Sequence, residues 1–154
     1  MKSLVFMNRI EEKDILNIIK QINDEFLQED SPMSFYECFD FDKKDNNKIA
    51  KHLSKAINLN CNCDEEILNN MINTIAYTGS VVPSIIIDKL YRQKKLNKNK
   101  YKSLLKWADD AWFVYRIHHI PITEKELKEY LGKSNYSITK QRVKDVIHML
   151  YVDE

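Results

Sequence analysis

The chain has 154 residues, a net charge close to zero and 44% hydrophobic side chains. This length is typical of one domain, and this hydrophobic fraction can form a core, which excludes a wholly disordered chain. No run of about 18 apolar residues occurs, so the sequence predicts no membrane-spanning helix. The start of the chain becomes acidic too early for a signal peptide, and the three cysteines make an odd number. We therefore expect a cytoplasmic protein without a disulfide framework.

Apolar residues recur at helical spacing along the first half of the chain. Residues 11–29 carry isoleucines on one stripe and end before a proline, which predicts an amphipathic helix. An aromatic, acidic connector of undefined structure follows over residues 33–44. Further helices are predicted over residues 45–58 and from Asp64 to about Tyr77, with Asp64 as the N-cap of the latter.

The second half continues the helical pattern after Pro83. Residues 84–95 fit a helix, although the three consecutive isoleucines there equally permit a short strand. A long helix is predicted over residues 99–117, with Trp112 in the core, whereas the position of Trp107 stays open. Residues 123–131 form a short helix with Thr123 and Glu126 as a capping box. The last helix is predicted to end near Tyr151.

Only two glycines and three prolines occur in the chain. Sheet-rich folds need these residues at their many turns, so their scarcity favours helices. We expect an all-α fold, a compact bundle of six or seven helices with at least about 60% helix, against roughly a third in an average protein. One domain is expected over residues 1–154, and the alternative is a division into an acidic helical part, 1–80, and a basic part, 81–154.

Charge is distributed unevenly along the chain. Residues 1–88 carry nine basic and fifteen acidic side chains, whereas residues 89–154 carry fifteen basic and eight acidic ones. The segment 89–106, called here the lysine run, contains eight basic residues and no acid: Lys89, Arg92, Lys94, Lys95, Lys98, Lys100, Lys102 and Lys106. Such a run, interleaved with aromatic residues, is typical of a surface that binds nucleic-acid phosphates. The alternative is a solvated helix face.

Codon bias explains part of the lysine content. The chain has twenty lysines but four arginines, and asparagine and isoleucine are abundant. This composition is typical of an AT-rich genome and indicates a low-GC bacterium, its phage or a mobile element. Only the confinement of the excess to one half of the chain therefore requires a physical explanation.

Residues 122–140, ITEKELKEYLGKSNYSITK, carry the most specific motif. They resemble the helix-turn-helix core of bacterial and phage repressors, whose pattern is (L/I)-T-x-x-E-L-A-x-x-L-G-x-S-x-x-T-(I/V)-S-(R/K). The matching residues are Ile122, Thr123, Glu126, Leu127, Leu131, Gly132, Ser134, Ile138 and Lys140. Lys128 stands where the family has a small alanine.

The resemblance implies a role for each matched position. Thr123 caps the first helix, Leu127 and Leu131 bury it, and Gly132 makes the turn in a left-handed conformation. Ile138 would then pack the second helix on the first. That second helix would present polar and basic side chains to the major groove. The candidate contacts in this region are Lys133, Lys140, Gln141, Arg142 and Lys144.

A second interpretation of the same residues stays open. The apolar stripe of the last helix consists of Val143, Val146, Ile147 and Leu150, and it leaves Ile138 about 140° away, at 100° per residue. If Thr139 is instead the N-cap, Ile138 and Val143 form a hydrophobic staple. The turn then spans residues 132–139, base recognition is lost or altered, and the motif is a plain helix pair.

No motif for catalysis, metal binding or cofactor binding is complete in this sequence. Cys61, Cys63 and His52 lack the fourth ligand of a zinc site, and His118-His119 has no supporting carboxylate motif. Residues 40–51 resemble a calcium loop but lack its glycine and its final glutamate. Glu126-x-Lys128 matches the end of a nuclease signature without its strand. Glycine-rich phosphate-binding loops are also missing. We expect no enzyme, no metal and no cofactor.

These observations favour a DNA-binding regulatory or replication-control protein. The lysine run would hold phosphates, the last helix would reach bases, and the acidic half would form a homodimer or bind a protein. The alternative is a small non-enzymatic inhibitor or adaptor of phage type that acts through its acidic half. A continuous basic surface favours the first function, and an exposed apolar patch beside the acidic face favours the second.

Overall fold

The computed structural model describes residues 9–28, 43–59, 62–78 and 82–151. Of these residues 85% are helical and none forms a strand, so the all-α prediction is confirmed. The described part contains seven helices: α1 Glu12–Gln28, α2 Lys43–Asn58, α3 Asp64–Thr78, α4 Val82–Arg92, α5 Lys98–His119, α6 Glu124–Lys133 and α7 Ser137–Tyr151. The predicted helix end before Pro32, most of the 33–44 connector and Cys61 lie outside the described residues.

The amphipathic pattern of α1 builds one side of the main core. Ile15, Ile18 and Ile22 are completely or almost completely buried. The preceding backbone is held by Asn58 at the end of α2, whose side chain accepts from the Ile10 N–H at 3.0 Å and donates to the Ile10 carbonyl at 2.7 Å. This reciprocal pair fixes the start of α1 against α2.

Helix α3 lies between the first two helices and the second half of the chain, packing on α2, α4, α5 and α7. Its core residues Leu68, Met71 and Ile75 are at most 1% exposed. The Cys63 carbonyl accepts from the Ile67 N–H at 2.9 Å, so Cys63 is the cap and Asp64 is the first helical residue. The prediction of Asp64 as N-cap was wrong by one position.

The three consecutive isoleucines lie in helix α4, so the helix prediction is confirmed and the alternative of a short strand was wrong. It ends in a Schellman motif, in which the Lys95 N–H donates to the Leu90 carbonyl and the Lys94 N–H donates to the Tyr91 carbonyl, both at 2.9 Å. Lys94 has a φ of 62°, the left-handed conformation that usually requires glycine. In this glycine-poor chain a lysine occupies that position.

Helix α5 is the longest helix and packs on α3, α4 and α7. Asn97 caps its start by accepting from the Lys100 N–H at 2.8 Å. Trp107 is 3% exposed and belongs to the main core. Trp112, which we expected in the core, is only half-buried. The second tryptophan of the helix therefore faces further outward than the first.

Helices α6 and α7 have a small core of their own with the end of α5. It contains Ile117, Leu127, Val143 and Val146, each at most 5% exposed. The predicted apolar stripe of α7 fails at its end, since Leu150 is 54% exposed. The α6–α7 pair is thus a small unit attached to the rest of the described structure, helices α1–α5, which is called here the body.

Candidate nucleic-acid interface

The start of α6 is as predicted. The Glu126 N–H donates to the Thr123 hydroxyl at 3.2 Å, and the Thr123 N–H donates to the Glu126 carboxylate at 3.3 Å. This confirms the capping box. It also engages the Glu126 carboxylate in a structural contact.

The turn between α6 and α7 consists of residues 134–136. Helix α6 continues through Gly132 to Lys133, so Gly132 is helical and the predicted left-handed turn at that position was wrong. The Ser134 N–H closes the helix by donating to the Tyr130 carbonyl at 3.1 Å. A three-residue turn is the length found in helix-turn-helix motifs.

Helix α7 begins earlier than the plain-pair interpretation required. The Tyr136 carbonyl accepts from the Lys140 N–H at 3.0 Å, so Tyr136 caps the helix. Thr139, the alternative cap, lies inside the helix and is completely buried. The long turn over residues 132–139 was therefore wrong.

Ile138 does not join α7 to α6. It is half-buried and packs against the main core of the body, whereas Leu127 and Val143 make the contact between the two helices. Lys128, at the family's alanine position, is 64% exposed and forms an ion pair with Glu124 at 3.1 Å. The lysine therefore faces solvent, and this departure from the pattern does not obstruct the helix pair.

A buried carboxylate holds the turn to the body. Asp110 on α5 is 0% exposed. It accepts from the backbone N–H of Asn135 at 3.2 Å, from the Asn135 amide at 3.0 Å and from the Tyr136 N–H at 3.1 Å. Sequence reasoning missed Asp110. The available signal was an acid on the apolar stripe between Trp107 and Val114, where a carboxylate requires dedicated donors.

Tyr136 fixes the same turn through its ring. The ring stacks on Trp107 with centroids 3.7 Å apart and planes 5° from parallel. Its hydroxyl donates to the Ser103 carbonyl at 3.3 Å. Burial raises the pKa of the Tyr136 phenol, which stays a neutral donor at physiological pH. The turn and the first residues of α7 are therefore rigidly placed on α5.

Arg142 lies on the side of α7 that faces α3. Its guanidinium donates to the Asn69 side chain at 2.8 Å and lies 3.7 Å from the Glu65 carboxylate. The side chain is 26% exposed. Arg142 is thus a contact between α7 and the body and not part of the outer face of the helix.

The outer face of α7 carries the other predicted contacts. Lys140, Gln141 and Lys144 are exposed, and Lys133 is exposed at the end of α6. The Gln141 amide donates to Asp145 at 2.9 Å, so its hydrogen-bonding capacity is partly used within the helix.

Half of the lysine run is engaged inside the protein. Lys89 pairs with Glu25 at 2.7 Å, Arg92 with Asp88 at 2.7 Å and Lys95 with Asp14 at 3.3 Å. Lys100 donates to the Leu59 carbonyl at 3.0 Å. Two of these contacts, Lys89–Glu25 and Lys95–Asp14, join α4 and its following turn to α1.

The rest of the run is exposed: Lys94, Lys98, Lys102 and Lys106. None of the four lies within ion-pair distance of an acid among the described residues. Lys98, Lys102 and Lys106 recur every four residues on α5 and therefore share one side of the helix. These three residues are called here the α5 lysine row. Lys106 is one turn before Asp110, so this row leads toward the α6–α7 turn. Part of the lysine run is thus engaged in contacts within the protein, and part of it forms an exposed row on α5.

The histidine and cysteine candidates that the structure describes are His52, Cys63, His118 and His119. His119 contacts the Tyr115 carbonyl at 2.8 Å, and burial lowers the pKa of His118. His52 contacts the Asn70 amide oxygen at 3.2 Å, and Cys63 is half-buried. Within the described ranges, no three His, Cys, Asp or Glu side chains are placed to hold a metal ion.

Comparisons with protein-family models, with curated proteins and with solved structures found no match to this chain. Among the described helices, none is both long enough and apolar enough to cross a membrane.

Proposed function

We propose that this chain is a DNA-binding regulatory or replication-control protein of a low-GC bacterium, phage or mobile element. The α5 lysine row would contact phosphates, and the outer face of α7 would face the major groove. One observation carries the proposal: six exposed lysines without a described ion pair lie along α5 and on the α6–α7 unit. They are Lys98, Lys102, Lys106, Lys133, Lys140 and Lys144.

The spacing of the row suits a phosphate backbone. An α-helix rises about 1.5 Å per residue, so the three lysines span about 12 Å along α5. Phosphate charges recur about every 3.4 Å of axis along one strand of B-DNA, so this length covers at least one phosphate for each of the three lysines. Lysine is a flexible point charge, which suits contacts with phosphates better than recognition of one base.

The α6–α7 unit supports a duplex as the ligand. Its three-residue turn and exposed second helix agree with a helix-turn-helix, in which the second helix enters the major groove. Lys140 and Lys144 lie on the exposed side of α7, and Lys133 lies beside the turn. Arg142 is not one of the proposed base contacts, because its guanidinium donates to the Asn69 side chain.

A matched pair of triple variants tests the proposal. Lys98→Gln/Lys102→Gln/Lys106→Gln removes the exposed row, whereas Lys89→Gln/Arg92→Gln/Lys95→Gln removes three cations already paired with acids. Both lower the net charge by three. In fluorescence anisotropy with random duplex DNA at low salt, the first variant should bind roughly ten-fold or more weakly, and the second within about three-fold of the parent.

Two results contradict the proposal. Equal weakening by both variants would show that affinity follows net charge and not the α5 row. A parent protein that binds no duplex at low salt would exclude DNA binding altogether. Circular dichroism of both variants checks that the helical fold is retained.

One observation favours the protein-binding alternative. Met149 and Leu150 near the end of α7 are 67% and 54% exposed, and exposed apolar side chains of this size suit a protein contact. They lie on the basic half of the chain and not on the acidic one. Light scattering of the parent and of Met149→Ser/Leu150→Ser tests self-association through this end: a dimer that the double variant abolishes supports it, and a monomeric parent excludes it.

A further inference from the structure

A cleft opens on α5 beside the exposed lysine row. It has a volume of about 500 Å³ and lies between the end of α2, the start of α3, the first half of α5 and the turn before α7. Its size falls within the range of small-ligand sites in proteins. Six of its lining residues are Asp64, Ile67, Asn99, Ser103, Trp107 and Tyr136.

The lining combines hydrogen-bonding groups with an aromatic wall. The Asn99 amide and the Asp64 carboxylate are exposed at the rim, and Ser103 lies deeper, with its hydroxyl 3.5 Å from that of Tyr136. The half-buried Tyr136 ring, which stacks on the buried Trp107, contributes the aromatic part of the lining. Enzymes and binding proteins that take up an unstacked nucleobase use these two components, polar contacts to the base edge and apolar or aromatic contacts to its faces.

Two lysines of the row lie next to residues that line the cleft. Residues three apart on a helix are surface neighbours, so Lys102 adjoins Asn99 and Lys106 adjoins Ser103. A nucleic-acid backbone held by the row would therefore pass along the edge of the cleft. A base displaced from the stack would have only a short distance to travel into it.

We propose that the cleft receives one unpaired nucleobase of the bound DNA, so that the preferred ligand is a duplex with an extrahelical nucleotide. The inference rests on the proposed DNA binding, because the α5 row must hold the backbone. It adds a site for the base itself, formed by α3, α5 and Tyr136.

Three DNA ligands separate base capture from backbone binding. One is a fully paired duplex, the second carries a central single-nucleotide bulge, and the third carries the same bulge with an abasic residue. The full chain should bind the bulge at least about five-fold more tightly than the abasic bulge, because only the former offers a base to the cleft. Equal affinity for the two bulges overturns the inference, while continued binding of the paired duplex leaves the proposed function standing.

A cleft-filling variant supplies the structural control. Asn99→Phe places a large side chain at the rim and should abolish the preference for the bulge, leaving paired-duplex affinity within about two-fold. Asn47→Phe makes the same change at an exposed position of α2 that does not line the cleft, and it should keep the preference. If circular dichroism shows that Asn99→Phe is unfolded, Asn99→Leu takes its place. Retention of the preference in the folded cleft variant overturns the inference, and failure of all three DNA ligands to bind overturns the proposed function as well.

Discussion

Asp110 shows how one buried side chain can fix the position of a turn and of the helix that follows it. Its carboxylate has no exposed surface and is satisfied by donors from the α6–α7 turn. A buried charge is costly unless hydrogen bonds compensate it, so this carboxylate and the turn stabilise each other. Any change to Asp110 should therefore act on the turn and on the start of α7.

Replacing Asp110 with asparagine tests this coupling. Asp110→Asn replaces a charged acceptor of three N–H groups with a neutral one, and it should lower the free energy of unfolding by about 2 kcal/mol. It should also weaken the near-ultraviolet circular dichroism of the Trp107–Tyr136 stack. Asp24→Asn is the control, the same change at an exposed carboxylate on α1, and should change stability by no more than about 0.5 kcal/mol. Equal effects of the two variants would show that Asp110 does not hold the turn.

Lys94 illustrates a backbone requirement met by an unusual residue. Its left-handed conformation costs about 1–2 kcal/mol for a residue with a Cβ atom, and glycine avoids this cost but loses more entropy on folding. Lys94→Gly should therefore raise the free energy of unfolding by up to about 1 kcal/mol, measured by urea denaturation. A destabilised variant would mean that the lysine side chain makes a stabilising contact that outweighs the backbone strain.

At the scale of the element, α7 has two faces with different roles. Arg142 and Ile138 face the body, while Lys140 and Lys144 face solvent. In the sequence, Arg142 cannot be told apart from Lys140 and Lys144, because all three are basic residues of one helix. Their separation depends on how α7 packs on α3 and α5, which is a tertiary property that helical periodicity alone does not fix.

Arg142→Ala distinguishes these faces. Loss of the hydrogen bond to Asn69 and of the long ion pair with Glu65 should lower the free energy of unfolding by about 1 kcal/mol, with base preference in DNA binding unchanged. Lys144→Ala should leave stability within about 0.5 kcal/mol and weaken DNA binding. A double-mutant cycle with Asn69→Ala should give a coupling energy above about 0.5 kcal/mol. A fully stable Arg142→Ala that loses base preference would instead make Arg142 a base contact.

Local signals predicted the elements better than the joints between them. The capping box of Thr123 and the apolar stripes of α1 and α3 depend on neighbours within a turn or two, and the structure confirms them. The helix-turn-helix pattern located the turn to within a few residues. It misplaced Gly132 because a glycine can extend a helix as well as end one when the following turn is held by other contacts. Here those contacts come from Asp110, twenty-two residues earlier in the chain.

For the molecule as a whole, ion pairs between the acidic and the basic half of the chain compensate part of the uneven charge distribution. Acids of the first half pair with bases of the second half in Glu25–Lys89, Asp14–Lys95 and Glu65–Arg142. Exposed ion pairs contribute little to stability, but they explain why opposite charges accumulate on helices that pack together. The internal pairs account for one part of the lysine run. The row on α5 is exposed and has no ion pair among the described residues, so the internal pairs do not account for it.

The two sets of cations could not be separated from the sequence. Lys95 and Lys98 are three residues apart and chemically identical, yet one pairs with α1 and the other belongs to the exposed row. Only the path of the chain after α4, through the left-handed Lys94, directs them to different sides.

The salt dependence of DNA affinity tests the central claim most directly. If the exposed lysines bind phosphates, the logarithm of the association constant should fall linearly with the logarithm of salt concentration, with a slope of about −0.9 per phosphate contact. Four to six contacts predict a slope of about −4 to −5 for the parent, and loss of Lys98, Lys102 and Lys106 should flatten it by about 2 to 3. A parent slope near zero, or an unchanged slope in the triple variant, would contradict the account.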